Sequence, residues 1–217
     1  MKNFDLIVFD WDGTLVDSTA HIAQSIQKSY SDNDLPVPDE AAAKHVIGLG
    51  LLDTFNYLSP NLTKSQHQGI VDRYRHHFLD ENKILHAFKG TSEGLQALAE
   101  RSYLLAVATG KSRVGLNRAL KKVDFGHLFS VTRCGDEGFP KPHPDMLQFI
   151  MNDLAVPPER TLMIGDTTHD LLLAKNAGTY SVGVSYGAHD EKELVGLNPL
   201  ACVDSFERLM AWLLENG

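Results

Sequence analysis

The sequence predicts an α/β fold, a doubly wound parallel sheet with an all-α helical insert after its first strand. Three observations predict it. Five short apolar segments, several rich in β-branched residues, end in or run into Gly, Asp, Ser or Thr, as buried parallel strands do. Helical patterns separate most of them, which is the alternation that a parallel sheet requires. Roughly eighty residues after the first segment carry helical spacing and no strand signal.

The strand segments are Leu6–Asp10, Leu104–Thr109, Leu128–Thr132, Thr161–Gly165 and Tyr180–Val184. Between them, Gly94–Ala99 pairs Leu95 with Leu98 on one helical face, and Val114–Val123 forms a second helix. Asp145–Leu154 follows Pro144, a favourable first-turn residue, and Asp170–Ala177 stops at Gly178. In the insert, Ile22, Ile26 and Tyr30 recur at helical spacing, and Val46–Leu58 and Ile70–Leu79 read as helices. Thr63 followed by Gln66 fits a capping box. Residues 1–16 and 86–217 therefore form the α/β core with the chemistry, and residues 17–85 a helical cap. A cap entering at the end of strand one sits over the carboxyl edge of the sheet, where such folds bind ligands.

Bulk properties exclude several functions. The 217 residues carry a formal net charge of −8, without the basic footprint of a nucleic-acid binder. Any anionic substrate must then be held by a local cation. No apolar run is long enough to span a bilayer, and the short run Phe4–Phe9, broken by Asp5, is no signal peptide. Cys134 and Cys202 lie far apart and fit free thiols in a reducing compartment. The expected location is cytoplasmic, with no membrane partner.

Four groups carry chemistry. In Phe9-Asp10-Trp11-Asp12-Gly13-Thr14, a strand runs into two carboxylates at i and i+2. In extended geometry they share a face and repel unless a cation lies between them. Thr109-Gly110-Lys111 ends the second strand, where a hydroxyl and free N–H groups suit a phosphate oxygen. Lys141 sits between Pro140 and Pro142, which stiffen the backbone that aims it. Gly165-Asp166-Thr167-Thr168-His169-Asp170 places Asp166 at a strand end and Asp170 one helical turn on. All four follow strands of one parallel sheet, so they gather at one edge. Clustered carboxylates call for a hard cation with oxygen ligands, which describes Mg²⁺.

These motifs, in this order, resemble the haloacid dehalogenase superfamily of phosphohydrolases. Asp10-x-Asp12-Gly13-Thr14 is similar to its first motif, Thr109 to its second, Lys141 to its third and Asp166 with Asp170 to its fourth. The helical insert resembles that superfamily's first-class cap, and Val16-Asp17-Ser18 points to the phosphoglycolate phosphatase-like branch. The resemblance implies a Rossmann-like core and a Mg²⁺-dependent phosphatase acting on small phosphate monoesters, phosphoglycolate-like or sugar phosphates. Its substrate would be a small phosphorylated metabolite, and its state a monomer or homodimer. Asp10 would attack phosphorus to form an aspartyl-phosphate, and Asp12 would act as acid and then base. Asp10, the Asp12 carbonyl and Asp166 would hold the metal, with Asp170 supporting that shell. Lys141, Thr109 and the Gly110 N–H would bind phosphoryl oxygens.

Two other readings compete: a phosphomutase of the β-phosphoglucomutase type, and a non-enzymatic receiver-like phospho-acceptor module. The segment His45–Leu52 resembles the cap loop that reaches over the site. Its tip, Gly48-Leu49-Gly50, is neutral, which weighs against a bisphosphate and against phosphoglycolate itself. Lys44 and His45 read as a solvated helix end. Adjacent His76 and His77 cannot form an i, i+4 metal pair and read as solvated surface. His169 occupies a position that many residues could fill. Trp11 is expected to pack against the cap or the flap, and Phe125, Phe129 and Phe149 in the core.

Overall fold

The computed structural model describes residues 3–79 and 86–217. Its sheet has six strands in the order β3-β2-β1-β4-β5-β6. These are β1 (Leu6–Phe9), β2 (Leu104–Thr109), β3 (Val131–Cys134), β4 (Thr161–Gly165), β5 (Tyr180–Val184) and β6 (Ala201–Val203). Every neighbouring pair is parallel. β1 lies between β2 and β4, with Phe9 opposite Val107 and Ile164.

Alternation along β1 feeds two cores. Ile7 and Phe9 face a cluster with Leu95, Leu98, Leu116, Phe206 and Leu213. These come from α5 (Thr91–Glu100), α6 (Arg113–Leu120) and α10 (Phe206–Asn216). Leu6 and Val8 face the opposite cluster, with Met146, Leu147, Ile150 and Leu173. Those come from α7 (Asp145–Leu154) and α8 (Thr168–Ala177). A further short helix, α9 (Glu191–Val195), precedes β6.

The segment after β1 holds α1 (Thr19–Ser31), α2 (Glu40–His45), α3 (Leu51–Leu58) and α4 (Lys64–Phe78). They pack on one another around Ile26, Tyr30, Val46, Phe55 and Ile70. The chain leaves and re-enters at one place: Asp17 N–H donates to His86 O at 2.9 Å, and Phe88 N–H to Leu15 O at 3.1 Å. The expected capping box is present, with Thr63 as N-cap and Gln66 closing back on it. The part of the 17–85 segment at residues 80–85 lies outside the described residues.

Several expectations need correction. β3 begins at Val131, not Leu128, because Gly126–Leu128 closes a 3-10 turn. β1 ends at Phe9, one residue before Asp10. Val46–Leu58 is not one helix: α2 stops at His45, Gly48 takes a φ of +94°, and α3 restarts at Leu51. A positive φ belongs to no helix and comes cheaply only to glycine. β6 was not expected at all. Trp11 packs against Phe125 and Phe129 in the sheet's own core, not against the cap. Phe149 is 42 % exposed and lies under the Arg133 guanidinium at 4.2 Å.

Candidate active site

Parallel strands all end at one edge, and there the structure gathers Asp10, Asp12, Thr109, Gly110, Lys141, Asp166 and Asp170. Asp10 follows β1, and Thr109 ends β2. Lys141 lies between β3 and α7, and Asp166 and Asp170 flank the start of α8. All except Gly110 are buried polar residues; Asp12, the most accessible of them, is 7 % exposed.

Asp10, Asp166 and Asp170 each offer a carboxylate oxygen within 4.8 Å of the others. Each is otherwise braced. Lys141 Nζ donates to Asp10 Oδ1 at 2.8 Å and to Asp170 Oδ1 at 2.5 Å. Asp166 Oδ1 accepts from Thr14 Oγ1 and Oδ2 from the Ala188 N–H, both at 2.8 Å. Asp170 Oδ2 closes a capping box with Thr167, so one residue both starts α8 and holds the lysine. Asp10 Oδ2 is buried and has no hydrogen-bond partner among the described residues. Gly13, at φ +82°, leaves the space this packing needs, since a Cβ there would meet Asp166 Oδ2 at 2.1 Å.

Burial lifts the Asp10 carboxyl to about 7, with Asp170 and Asp12 adding to the rise and Lys141 opposing it. Burial also raises Asp166 well above the usual range, helped by Asp10 and Asp170. Burial alone would push Lys141 down, but Asp10 and Asp170 outweigh it and keep the ammonium charged. One lysine thus faces three carboxylates. An all-oxygen donor set with an excess of negative charge fits a hard divalent cation.

Asp12 stands in a separate arrangement. Its Oδ1 accepts from Ser18 Oγ at 2.7 Å. Lys111 Nζ donates to both its oxygens, at 2.9 and 2.8 Å. Asp10, Asp12, Thr109, Gly110 and Lys111 line one cavity of about 380 Å³. Thr109 Oγ1 accepts from the Lys111 N–H at 3.2 Å, which fixes the turn. Gly110 has the α2–α3 turn directly against it: a Cβ there would meet Leu49 O at 2.4 Å and Gly48 O at 2.6 Å.

Sequence reasoning missed part of this arrangement. Lys111 and Ser18 stood inside the quoted motifs, but no pattern says which carboxylate a lysine will reach. It missed a clasp as well. His169 Nε2 and His189 Nε2 both donate to His45 O, at 2.9 and 3.0 Å. The His45 and His189 rings stack at 5.1 Å, so His45 is no solvated helix end. Lys44 does stay outside, paired with Glu40 at 2.7 Å. His77 pairs with Asp32 at 2.7 Å, far from the carboxylates in sequence and in role.

Fold and site together define a hydrolase of phosphate esters with a helical segment beside its cavity. The chain belongs to the haloacid dehalogenase-like hydrolase family, whose model matches residues 7–184. It is a phosphatase of that family, in the phosphoglycolate phosphatase-like branch. It is 33 % identical to the probable phosphatase IndB of Dickeya dadantii, over 94 % of this chain and 91 % of that one. It is 30 % identical to a phosphoglycolate phosphatase of Vibrio cholerae along the full length of both. Among solved structures, a "predicted phosphoglycolate phosphatase" from Haemophilus somnus superposes with a TM-score of 0.85 at 27 % identity. That match covers 99 % of this chain and 98 % of the other. A hydrolase from Pseudomonas syringae shares the fold, with a TM-score of 0.89 at 23 % identity and 98 % of each chain covered. The receiver-like reading falls with this assignment. No helix among the described residues is long and apolar enough to cross a membrane.

Proposed function

We propose that this protein is a Mg²⁺-dependent phosphatase that hydrolyses small phosphate monoesters through an aspartyl-phosphate on Asp10. The observation that carries the proposal is the unpartnered Asp10 Oδ2, buried beside Asp166 and Asp170. Oδ1 of the same carboxylate is tied to Lys141, so one oxygen is oriented and the other is left to react.

Asp10 Oδ2 attacks phosphorus, and the bond from phosphorus to the ester oxygen breaks. Asp12 gives a proton to the departing alkoxide. Water then attacks the phosphorus of the aspartyl-phosphate, Asp12 takes its proton, and free phosphate leaves with Asp10 restored. Lys111 Nζ and Ser18 Oγ hold the Asp12 side chain in place for both proton transfers. Lys141, Thr109 and the Gly110 N–H hold phosphoryl oxygens. Asp10, Asp166 and the Asp12 carbonyl would hold Mg²⁺, with Asp170 bracing them, and the ion would neutralise charge on the transferring phosphoryl group. Residues 17–85 act as the cap that keeps bulk water from the intermediate.

The first test is turnover of p-nitrophenyl phosphate. Repeated turnover that needs Mg²⁺, is lost to a chelator, and is abolished in Asp10→Asn supports the proposal. Undiminished activity in Asp10→Asn rejects it.

A further inference from the structure

The cavity of about 380 Å³ runs from Asp10 and Asp12 into the helical segment. That volume suits a small organic ligand. Past the carboxylates its walls turn apolar, with Ile22 and Ile26 from α1, Ile47 and Leu49 from the α2–α3 turn, and Phe78 from α4. Among the described residues, three cations line it: Lys111, Arg75 and Arg118. Lys111 is engaged by both oxygens of Asp12, and its ammonium lies 4.5 Å over the Phe78 ring. Arg75 and Arg118 are exposed residues, where water screens them. A carboxylate lodged against the isoleucines would lose its hydration and gain no buried, uncommitted cation among the described residues. An apolar ring there would cover the same wall and strip no charge of water.

We propose that the alcohol portion of the natural ester is uncharged and presents an apolar face of about ring size, and that Ile22, Ile47, Leu49 and Phe78 select it over short, carboxylate-bearing phosphates. The proposal rests on the phosphatase reading of Asp10 and Asp12, and it runs against a direct transfer of phosphoglycolate from the named relatives.

Benzyl phosphate and 2-phosphoglycolate test it, since both are esters of primary alcohols and differ in phenyl against carboxylate. The native enzyme with Mg²⁺ is expected to show kcat/KM at least about tenfold higher for benzyl phosphate, carried by KM. Calorimetric titration of the Asp10→Asn protein should show the same preference in Kd. Leu49→Arg, at a partly buried tip, should narrow the ratio by gaining on phosphoglycolate. Equal or better efficiency and binding for phosphoglycolate overturns the proposal. If neither ester is turned over but benzyl phosphate still binds about tenfold tighter, the phosphatase reading fails and the apolar subsite stands. Absence of a binding preference overturns the subsite whatever the turnover.

Discussion

Asp10 shows how one buried residue ties stability to chemistry. Its carboxyl sits at about 7 in the fold against 3.8 in a free chain, chiefly through burial. Between those values the folded protein holds a proton that the unfolded chain has released. Stability of the metal-free protein therefore falls as pH rises from about 4 to about 7, and Asp166 adds in the same direction. Mg²⁺ bound there would take the ionised carboxylates and so compete with those protons. The expected outcome is a larger rise in Tm on adding Mg²⁺ at about pH 7.5 than at about pH 5, read by scanning calorimetry. Equal rises at both would contradict it. The residues behind this were legible because their spacing was chemical: Asp10 and Asp12 at i and i+2 after an apolar strand, Asp166 and Asp170 around a helix start. Lys111 was not legible as the partner of Asp12, because a long flexible side chain reaches any of several acids and only packing decides.

At the scale of elements, the contact between the α2–α3 turn and the end of β2 sets the site. Gly110 lies so close to the backbone of Gly48 and Leu49 that it leaves no room for a Cβ. In Gly110→Ala the methyl would push on backbone and displace the turn. A misplacement of about 1 Å near reacting groups costs catalysis up to roughly a hundredfold. The expected outcome is a fall of at least about tenfold in kcat/KM together with a lowered Tm. Retained kcat/KM would show that the turn's position does not matter to the reaction. This contact was partly readable, since the segment around Gly48-Leu49-Gly50 looked like a loop over the site. Its break from α2 was not, because apolar spacing runs through Val46–Leu58 and only the φ of +94° at Gly48 interrupts it. The clasp of His169 and His189 on His45 O joins residues 124 and 144 positions apart, and no local pattern encodes such a meeting.

For the whole molecule, sequence period and sheet geometry agree. Leu6 and Val8 serve one core and Ile7 and Phe9 the other, so the apolar run of β1 could belong only to a strand covered on both faces. That agreement made the α/β class and most strand positions legible. β6 escaped because three partly exposed residues, Ala201–Val203, carry no periodic signal. The sheet brings together side chains that are 131 residues apart in Lys141 and Asp10, and the account depends on that meeting making Asp10 the nucleophile. The most direct measurement is rapid acid quench during turnover of a ³²P-labelled ester with Mg²⁺, followed by borohydride reduction and peptide mass spectrometry. The account predicts a transient label that reduces to homoserine at position 10 and disappears as phosphate is released. Label on another residue, or hydrolysis at full rate with no phosphorylated Asp10 at any time, would contradict it.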